Sequence, residues 1–459
     1  MTPKRELASI AVPVSLEFVI ALVMNFANQV VVGSLGATAI ASVGFVGSLT
    51  FIIMITVGAL GGSVSILTAR AHGAGHMHEL NSVVHAALAL GLAITAVFIV
   101  VPVVWPTQFL TLAGGSPTVV AAGSDFLRLT SLALIPSIIT RVLAGVLRSV
   151  GMSKLPLYAT TVTVVANTGL GFMLVEGIGP FPAMGVTGAG VATLSTSGLS
   201  TLILAYYVYV KHRVVTWELP RGRSEWNIVL RPLLVLALPF ALTELVWSGG
   251  GYLYNVIFQR LGDEVLAANQ IASTLEALFI VGSFGLMTGA TTLIGRSVGQ
   301  QDVSAIHFWI RLLRRTGYIT GVVFGLAYAL SVLILRLVFP EVSDEVRHIA
   351  MIGILIAAAL QWMKVQNMVL GGGVLPSAGD TKGVLLGDSV GILIVGLPLS
   401  AVLGLYTPLA WLGIFIARGL EEIAKLAIFV YRSQRIDWSR VIADQSRRED
   451  PDEREVVSL

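Results

Sequence analysis

Two glutamate–asparagine pairs with the same spacing are the residues of this sequence best suited to ion chemistry. Glu17 precedes Asn28 by eleven residues, and Glu244 precedes Asn255 by the same interval. Eleven residues turn a helix through about 1100°, which is about 20° from a whole number of turns. Each pair would therefore place a carboxylate and an amide on one helix face. A carboxylate can take up H⁺, and an amide oxygen can coordinate Na⁺ or accept a hydrogen bond from a ligand.

Three further ionisable residues, Glu276, Lys364 and Asp388, interrupt long apolar runs in the second half of the chain. An isolated charge among apolar residues is costly, so we expect Lys364 to pair with either Asp388 or Glu276. With Asn255, these three residues are the candidates for a substrate cavity. A static structural pair and an ion-coupling site fit the sequence equally well.

Two other features have a structural interpretation. Arg418, Glu421, Glu422 and Lys425 stand three or four residues apart, a spacing that predicts pairing along one helix face. Glu17 lies near the beginning of its apolar run, where it could be ion-paired or solvated rather than active in coupling.

The overall composition is that of a membrane protein. Charged residues make up 12% of the 459 residues, hydrophobic residues make up 55%, and the mean hydropathy is +0.85. Soluble proteins carry roughly 25% charged residues, so a soluble enzyme, a disordered chain and a nucleic-acid binder are all excluded. The 48 glycines suit packed membrane helices. Without cysteine, the chain has no disulfide, thiol nucleophile or thiolate metal ligand.

Apolar runs long enough to cross a bilayer as helices recur along the chain. Twelve such runs lie near 10–33, 46–69, 83–104, 121–146, 156–176, 186–210, 228–258, 269–293, 312–338, 347–370, 383–404 and 408–431. With the N-terminus inside, 21 of the 29 Lys and Arg residues fall on the cytoplasmic side. This bias predicts a multi-pass protein of the cell membrane, inner or plasma, with both termini in the cytoplasm.

The two halves of the chain repeat each other in a constant register. Pro13 to Gly36 and Pro239 to Gly262 both begin with proline, end with Leu-Gly and have the same length. Six spans per copy make the repeat parallel, with its axis along the membrane normal. We therefore predict an N-lobe (1–210), a cytoplasmic loop (211–227), a C-lobe (228–431) and a charged cytoplasmic tail (432–459) that is frayed or disordered.

Four segments resemble the multidrug and toxic compound extrusion (MATE) family, in its prokaryotic DinF-like branch. They are VVGSLGATAIASVG at 31–44, GIGPFPAMGVTGAGVAT at 177–193, QRLGDEVLAANQIA at 259–272 and SAGDTK at 377–382. The resemblance implies an all-α polytopic fold of twelve transmembrane helices in two pseudo-symmetric six-helix lobes around a V-shaped cavity. It also implies export of small organic, often cationic or lipophilic, compounds against H⁺ or Na⁺.

The sequence departs from the family at two positions. The family commonly carries an aspartate in the first helix, fifteen residues after a proline, and Asn28 stands there after Pro13. A second aspartate often follows an asparagine by four residues in the fifth helix, and here Asn167 is followed by Gly171. Asn28 and Asn167 are therefore expected to be polar cavity positions. We predict that Glu17 or Glu244 couples export to the cation gradient instead.

These observations predict a secondary active antiporter that works by alternating access. A flippase for lipid-linked sugars, or another exporter of the same superfamily, is the first alternative, and a polytopic membrane enzyme or sensor is the second. No phosphate-binding GxxxxGK[ST] loop or HExxH motif occurs. We expect no catalytic residue, cofactor, metal site or nucleic-acid partner, and a monomer in the lipid bilayer.

Overall fold

The chain divides into two compact units. A computed structural model describes residues 2–217 and 223–449, which form helices joined by short connections. The C-terminal unit contains Met1–Ser15, Gly73–Gly75 and Leu238–Leu459, and the N-terminal unit contains Leu16–His72 and His76–Ala237. The boundary at residue 15 falls inside the first helix.

Long helices make up the N-terminal half of the chain. They are α1 (Pro3–Gly33), α2 (Ala37–Ala74), α3 (Met77–Val104), the short α4 (Pro106–Leu112), α5 (Pro117–Ser149), α6 (Lys154–Glu176) and α7 (Val186–Ala205). A π-helical segment, Tyr206–Lys211, continues α7. Helix α5 packs against α3 and α7, and α7 also packs against α6.

The C-terminal half has more interruptions. Its helices are α8 (Arg223–Arg260), α9 (Asp263–Gly299), α10 (Val303–Leu330), α11 (Leu335–Val338), α12 (Asp344–Ala359), α13 (Gln361–Val369), α14 (Leu375–Ser377), α15 (Thr381–Ser389), α16 (Leu397–Leu405), α17 (Trp411–Gln434) and α18 (Trp438–Glu449). A 3₁₀ turn at Ser331–Ile334 joins α10 to α11. Two π-helical segments, Leu370–Val374 and Val390–Gly396, lie between α13 and α14 and between α15 and α16.

Every predicted span has a helical counterpart. Among the described residues, nine helices are long and apolar enough to cross a membrane, and a tenth span is formed by Asp344–Ala359 with Gln361–Ser377, bent by 49°. The other two spans correspond to α2 and to α17, whose apolar length is interrupted by Arg418, Glu421, Glu422 and Lys425. The prediction of an all-α, twelve-helix membrane protein is confirmed.

The internal repeat extends to helix starts and turn residues. The interval that separates Pro13 from Pro239 also separates the start of α2 from that of α9, and the start of α3 from that of α10. The glycine before α2, Gly36, and the glycine before α9, Gly262, both have a positive φ, +90° and +122°. Serine caps both α5 and α12, accepting a hydrogen bond in each case from the backbone N–H three residues later. The duplication predicted from the sequence is therefore visible in the local backbone.

The tail differs from the sequence prediction. Helix α17 ends at Gln434, and α18 follows over Trp438–Glu449. Trp438 is only 3% exposed and belongs to the apolar core of the C-terminal unit, with Val441 and Ile442 packed against it. Disorder beyond residue 432 is therefore wrong for α18, because its apolar residues recur on one face and become buried. Residues 450–459 lie outside the described residues.

Close helix contacts give a test of the packing. A methyl group added at Gly321 in α10 would lie 2.5 Å from the Cα atom of Trp362, whereas one added at Gly198 in α7 meets nothing within 4 Å. We expect Gly321→Ala to lower the free energy of unfolding by about 1–3 kcal/mol, the usual cost of overpacking. Gly198→Ala, the matched control, should be neutral or slightly stabilising, since alanine favours helix. Equal thermal midpoints for both variants in detergent would contradict the packing.

Candidate functional site

The C-terminal unit encloses a cavity of about 410 Å³. Residues of α8, α9, α12, α13 and α17 line most of it. Its ionisable lining residues are Tyr252, Tyr254, Glu276, Tyr328, Lys364, Arg418, Glu421, Glu422 and Lys425. A cavity wall this rich in charge, within helices of spanning length, marks a functional-site candidate.

Lys364 pairs with Glu276 across the cavity wall. Nζ of Lys364 donates a hydrogen bond to Oε1 of Glu276, and each side chain is 13% exposed. Of the two partners predicted for Lys364, Glu276 is therefore correct and Asp388 is wrong. Asp388 lies on α15, which packs against α17, so its nearest cation is Lys425 of α17.

Lys425 is the centre of a second charged group. Its Nζ atom lies 2.5 Å from Oε1 of Glu421, 3.6 Å from Oδ1 of Asp388 and 3.9 Å from Oε1 of Glu422. The hydroxyl of Tyr254 donates a hydrogen bond to the other oxygen of Glu421. The predicted pairing of Lys425 along α17 is confirmed, and the fold adds one carboxylate and one phenol to it.

Arg418 does not join the predicted pairs on α17. Within the part of the chain that the structure describes, no carboxylate lies within 4 Å of its guanidinium. Its Nη1 atom donates to Oδ1 of Asn269 at 3.3 Å, and the guanidinium lies over the Tyr254 ring, 5.5 Å from the centroid. Asn269 in turn donates to Oδ1 of Asn255 at 3.1 Å. The prediction that Arg418 pairs with its charged neighbours on α17 is therefore wrong, because its partner, Asn269, lies on α9.

Acidic residues outnumber basic ones in this group. The members are the carboxylates Glu276, Asp388, Glu421 and Glu422 and the cations Lys364, Arg418 and Lys425. With every side chain ionised, four negative charges oppose three positive ones. The group therefore carries one formal negative charge in excess, which a proton, a metal cation or an organic cation could neutralise.

In the N-terminal unit, Glu17 is ion-paired. Nη2 of Arg148, on α5, lies 2.6 Å from Oε1 of Glu17, and the two side chains are 20% and 14% exposed. The hydroxyl of Thr160 lies 3.5 Å from the same oxygen. Oε2 of Glu17 is buried and accepts no hydrogen bond from the described residues. The ion-paired alternative weighed for Glu17 is thus present.

The two candidate asparagines of the N-terminal unit, Asn28 and Asn167, have different surroundings. Asn167 is 3% exposed, and its amide donates to the hydroxyl of Thr196 at 3.0 Å. Asn28 is half-buried. Gly171, one helical turn after Asn167, is buried, and a methyl group there would have only Ala192 as a neighbour, at 3.8 Å.

Glu244 lies outside the lining of the C-terminal cavity. It is exposed on α8, one turn before Ser248, which lines the cavity together with Gly251 and Asn255. These four residues follow each other at intervals of three or four, so Glu244 continues the stripe that contains Asn255. The shared face predicted for this pair agrees with the helix, although only Asn255 lines the cavity.

Three contributors were not identified as site residues from the sequence. Arg148 was counted only as a cytoplasmic basic residue, and Tyr254 and Asn269 were not singled out. Arg148 meets Glu17 from a different helix, and Asn269 meets Arg418 across 149 positions of sequence. No local spacing predicts such contacts. Tyr254 directly precedes Asn255, but successive helical residues are about 100° apart, so the predicted face did not include it.

Comparison with known proteins identifies relatives over almost the whole chain. The MatE family profile matches residues 13–173 and 239–403, two segments that begin at the equivalent prolines of the internal repeat. The probable multidrug resistance protein NorM of Bradyrhizobium diazoefficiens is 24% identical over 446 residues, covering 93% of this chain and 92% of that protein.

Solved structures with the same fold are also found. A crystal structure described as MATE in the bent conformation has a TM-score of 0.86 at 18% identity, over 96% of this chain and 98% of that one. An outward-facing conformation of a multidrug resistance MATE family transporter of the MOP superfamily has a TM-score of 0.83 at 19% identity, over 95% and 96%. At these identities the likeness establishes the fold.

The pairing of Lys364 with Glu276 can be tested by removing one partner and then both. Lys364→Met leaves a carboxylate without its cation and should lower the free energy of unfolding by about 3 kcal/mol, the lower end for a broken buried pair, since the cavity can hold water. Glu276→Gln combined with Lys364→Met should recover most of this loss. Thermal unfolding in detergent measures both. A double variant as unstable as Lys364→Met would mean that the lysine acts through packing alone.

Proposed function

The chain belongs to the MatE family, whose members are transporters and not enzymes, and from this premise we propose that it exports small organic compounds in exchange for H⁺ or Na⁺. The multi-pass helical fold and the multidrug resistance relatives support this assignment. We further propose that it acts as a monomer in the inner or plasma membrane with both termini in the cytoplasm, as the distribution of Lys and Arg indicates.

The observation that carries the proposal is the excess negative charge of the group at and beside the C-terminal cavity. Three carboxylates and three cations line the cavity, and the fourth carboxylate, Asp388, lies beside it, 3.6 Å from Lys425. Uncompensated charge in such surroundings is costly, so the excess carboxylate favours uptake of one mobile cation. A cationic substrate would neutralise this charge, so the cavity is suited to hold the exported compound.

Alternating access requires that these ligands bind the two facing states with different affinity. A ligand that binds both states equally shifts neither, however tightly it binds. The π-helical segment Leu370–Val374 begins six residues after Lys364. The segment Val390–Gly396 begins two residues after Asp388. Such segments place locally unwound backbone beside the charged residues, where small helix adjustments would alter the charge contacts.

We propose Glu17 and Glu244 as the coupling carboxylates, with Asn28 and Asn167 as polar positions of the N-lobe. The resemblance to the family assigns coupling to two aspartates that are replaced here by Asn28 and Gly171. Glu17 keeps a charged partner, Arg148, and a buried oxygen without a hydrogen bond. Protonation of Glu17 would release Arg148, so the ion pair would open and close with the transport cycle.

The cavity also bears on the alternative function. A flippase for lipid-linked sugars would need basic residues to hold a pyrophosphate. The excess of carboxylates repels such an anion and attracts a cation. Export of cationic or neutral compounds is therefore the better-supported function. We assign Asn255, Glu276, Lys364 and Asp388 to the substrate cavity.

Coupling can be tested in proteoliposomes with separately imposed proton and sodium gradients. We expect efflux of a fluorescent dye under one of the two gradients. In the double variant Glu17→Gln, Glu244→Gln, the stimulation of efflux by that gradient should fall by about 5–150-fold, the range that corresponds to usual coupling energies. Glu345→Gln, at the exposed start of α12, is the matched control. Gradient-driven export at full rate in the double variant would remove both residues as coupling sites.

Substrate charge gives a separate test of the cavity. Glu422 is 17% exposed and accepts a hydrogen bond from the amide of Asn367 at 2.8 Å, which glutamine can also accept. Glu422→Gln removes the excess negative charge, so we expect binding of a cationic dye to weaken by about tenfold. Binding of a neutral dye should stay unchanged. Equal effects on both dyes would indicate that the cavity does not select by charge.

A further inference from the structure

An arginine cluster lies near the beginning of α10, away from the residues assigned to transport. Arg311, Arg314 and Arg315, with Tyr318 and Ile319, line a surface pocket of about 560 Å³. Arg311 and Arg315 are exposed, and Arg314 is half-buried. We call these five residues the α10 arginine patch.

Among the described residues, the three arginines have no acidic partner. Within residues 2–217 and 223–449, none of them has a carboxylate oxygen within 4 Å. The side chain of Arg311 has one hydrogen bond, from Nε to the carbonyl oxygen of His307 at 3.4 Å. Three neighbouring cations without a counter-charge repel one another, so the patch favours an anionic ligand.

Beyond the arginines, the same face of α10 becomes apolar. Ile319, Val322, Leu326 and Leu330 are 57%, 50%, 62% and 63% exposed and follow at intervals of three or four residues. This stripe belongs to a helix of spanning length, Val303–Val338, so the hydrocarbon of the bilayer is the surrounding that suits it.

An aromatic pair lies where this face of α10 changes from basic to apolar residues. The rings of Tyr318 and Trp362 lie 5.6 Å apart, between the arginines and the apolar stripe. Tyrosine and tryptophan are enriched at the boundary between lipid headgroups and hydrocarbon. The arginines are therefore placed at headgroup level, on the side that the charge distribution assigns to the cytoplasm.

We propose that the α10 arginine patch binds an anionic phospholipid. The phosphate of the headgroup contacts Arg311, Arg314 and Arg315, and the acyl chains lie along the stripe that begins at Ile319. An anionic phospholipid combines an anionic group with long apolar chains, and arginine binds phosphate through two parallel hydrogen bonds. Basic pockets of this kind on the cytoplasmic side of membrane proteins suit such headgroups.

The test uses the full chain in neutral detergent, titrated with phosphatidylglycerol, phosphatidylcholine or inorganic phosphate. Bound lipid is counted by native mass spectrometry, and the thermal midpoint is followed in parallel. Each basic residue near a membrane surface is worth about five-fold in affinity for anionic lipid. The triple variant Arg311→Gln, Arg314→Gln, Arg315→Gln should therefore bind phosphatidylglycerol about a hundred-fold more weakly than the unaltered protein.

The matched control removes the same charge from three exposed arginines on other segments, Arg213→Gln, Arg260→Gln and Arg440→Gln. It should bind phosphatidylglycerol as the unaltered protein does. Equal weakening in the two triple variants would overturn the proposal, since net charge alone would then explain binding. Saturating protection by inorganic phosphate, or equal binding of phosphatidylcholine, would overturn it as well. If the patch variant fails to fold, Arg311→Gln alone should still give about a five-fold loss.

Discussion

The cost of placing charge among apolar helices is the constraint on which the C-terminal unit depends. Every ionisable side chain taken into this environment must find a partner or lie beside water. Lys364 and Glu276 compensate each other, and Lys425 lies among three carboxylates. The single excess carboxylate is the part of this arrangement that remains free to respond to a cation, which makes the cavity a candidate for transport as well as a structural necessity.

The two halves of the chain share a backbone plan and differ in chemistry. The duplication preserves helix starts, the glycine turns at Gly36 and Gly262, and the serine caps at Ser116 and Ser343. It does not preserve charge: the N-terminal unit has the pair of Glu17 with Arg148, whereas the C-terminal unit has seven charged residues at or beside one cavity. A duplicated scaffold therefore tolerates different polar groups. Turns and caps depend on residues close in sequence, whereas buried charges are paired with side chains of other helices.

Membership of the MatE family identifies the fold and the class of activity. The positions at which the sequence departs from the family are particular to this chain. Asn28 and Gly171 stand where the family commonly has aspartates, so we propose that the acids that respond to a cation lie elsewhere. Glu17 and the C-terminal carboxylates are available for that role, and the hydrogen bonding of Asn167 to Thr196 retains a polar site in the N-terminal unit. The α10 arginine patch adds a second kind of polar surface, directed to the lipid rather than to the transported compound.

Much of the fold could be predicted from the sequence, because hydropathy, turn residues and an unbroken repeat are local properties of the chain. They determined the twelve helices, the parallel duplication and the pairing of Lys425 along α17. Tertiary structure decided the partners that local spacing cannot specify: Asp388 with Lys425 rather than Lys364, Arg418 with Asn269 rather than Glu421, and Glu17 with Arg148. It also decided that Trp438 is buried and α18 ordered. The physical reason is the same in each case: a buried polar or apolar group is satisfied by whichever side chain packing brings near it, and packing joins residues far apart in sequence.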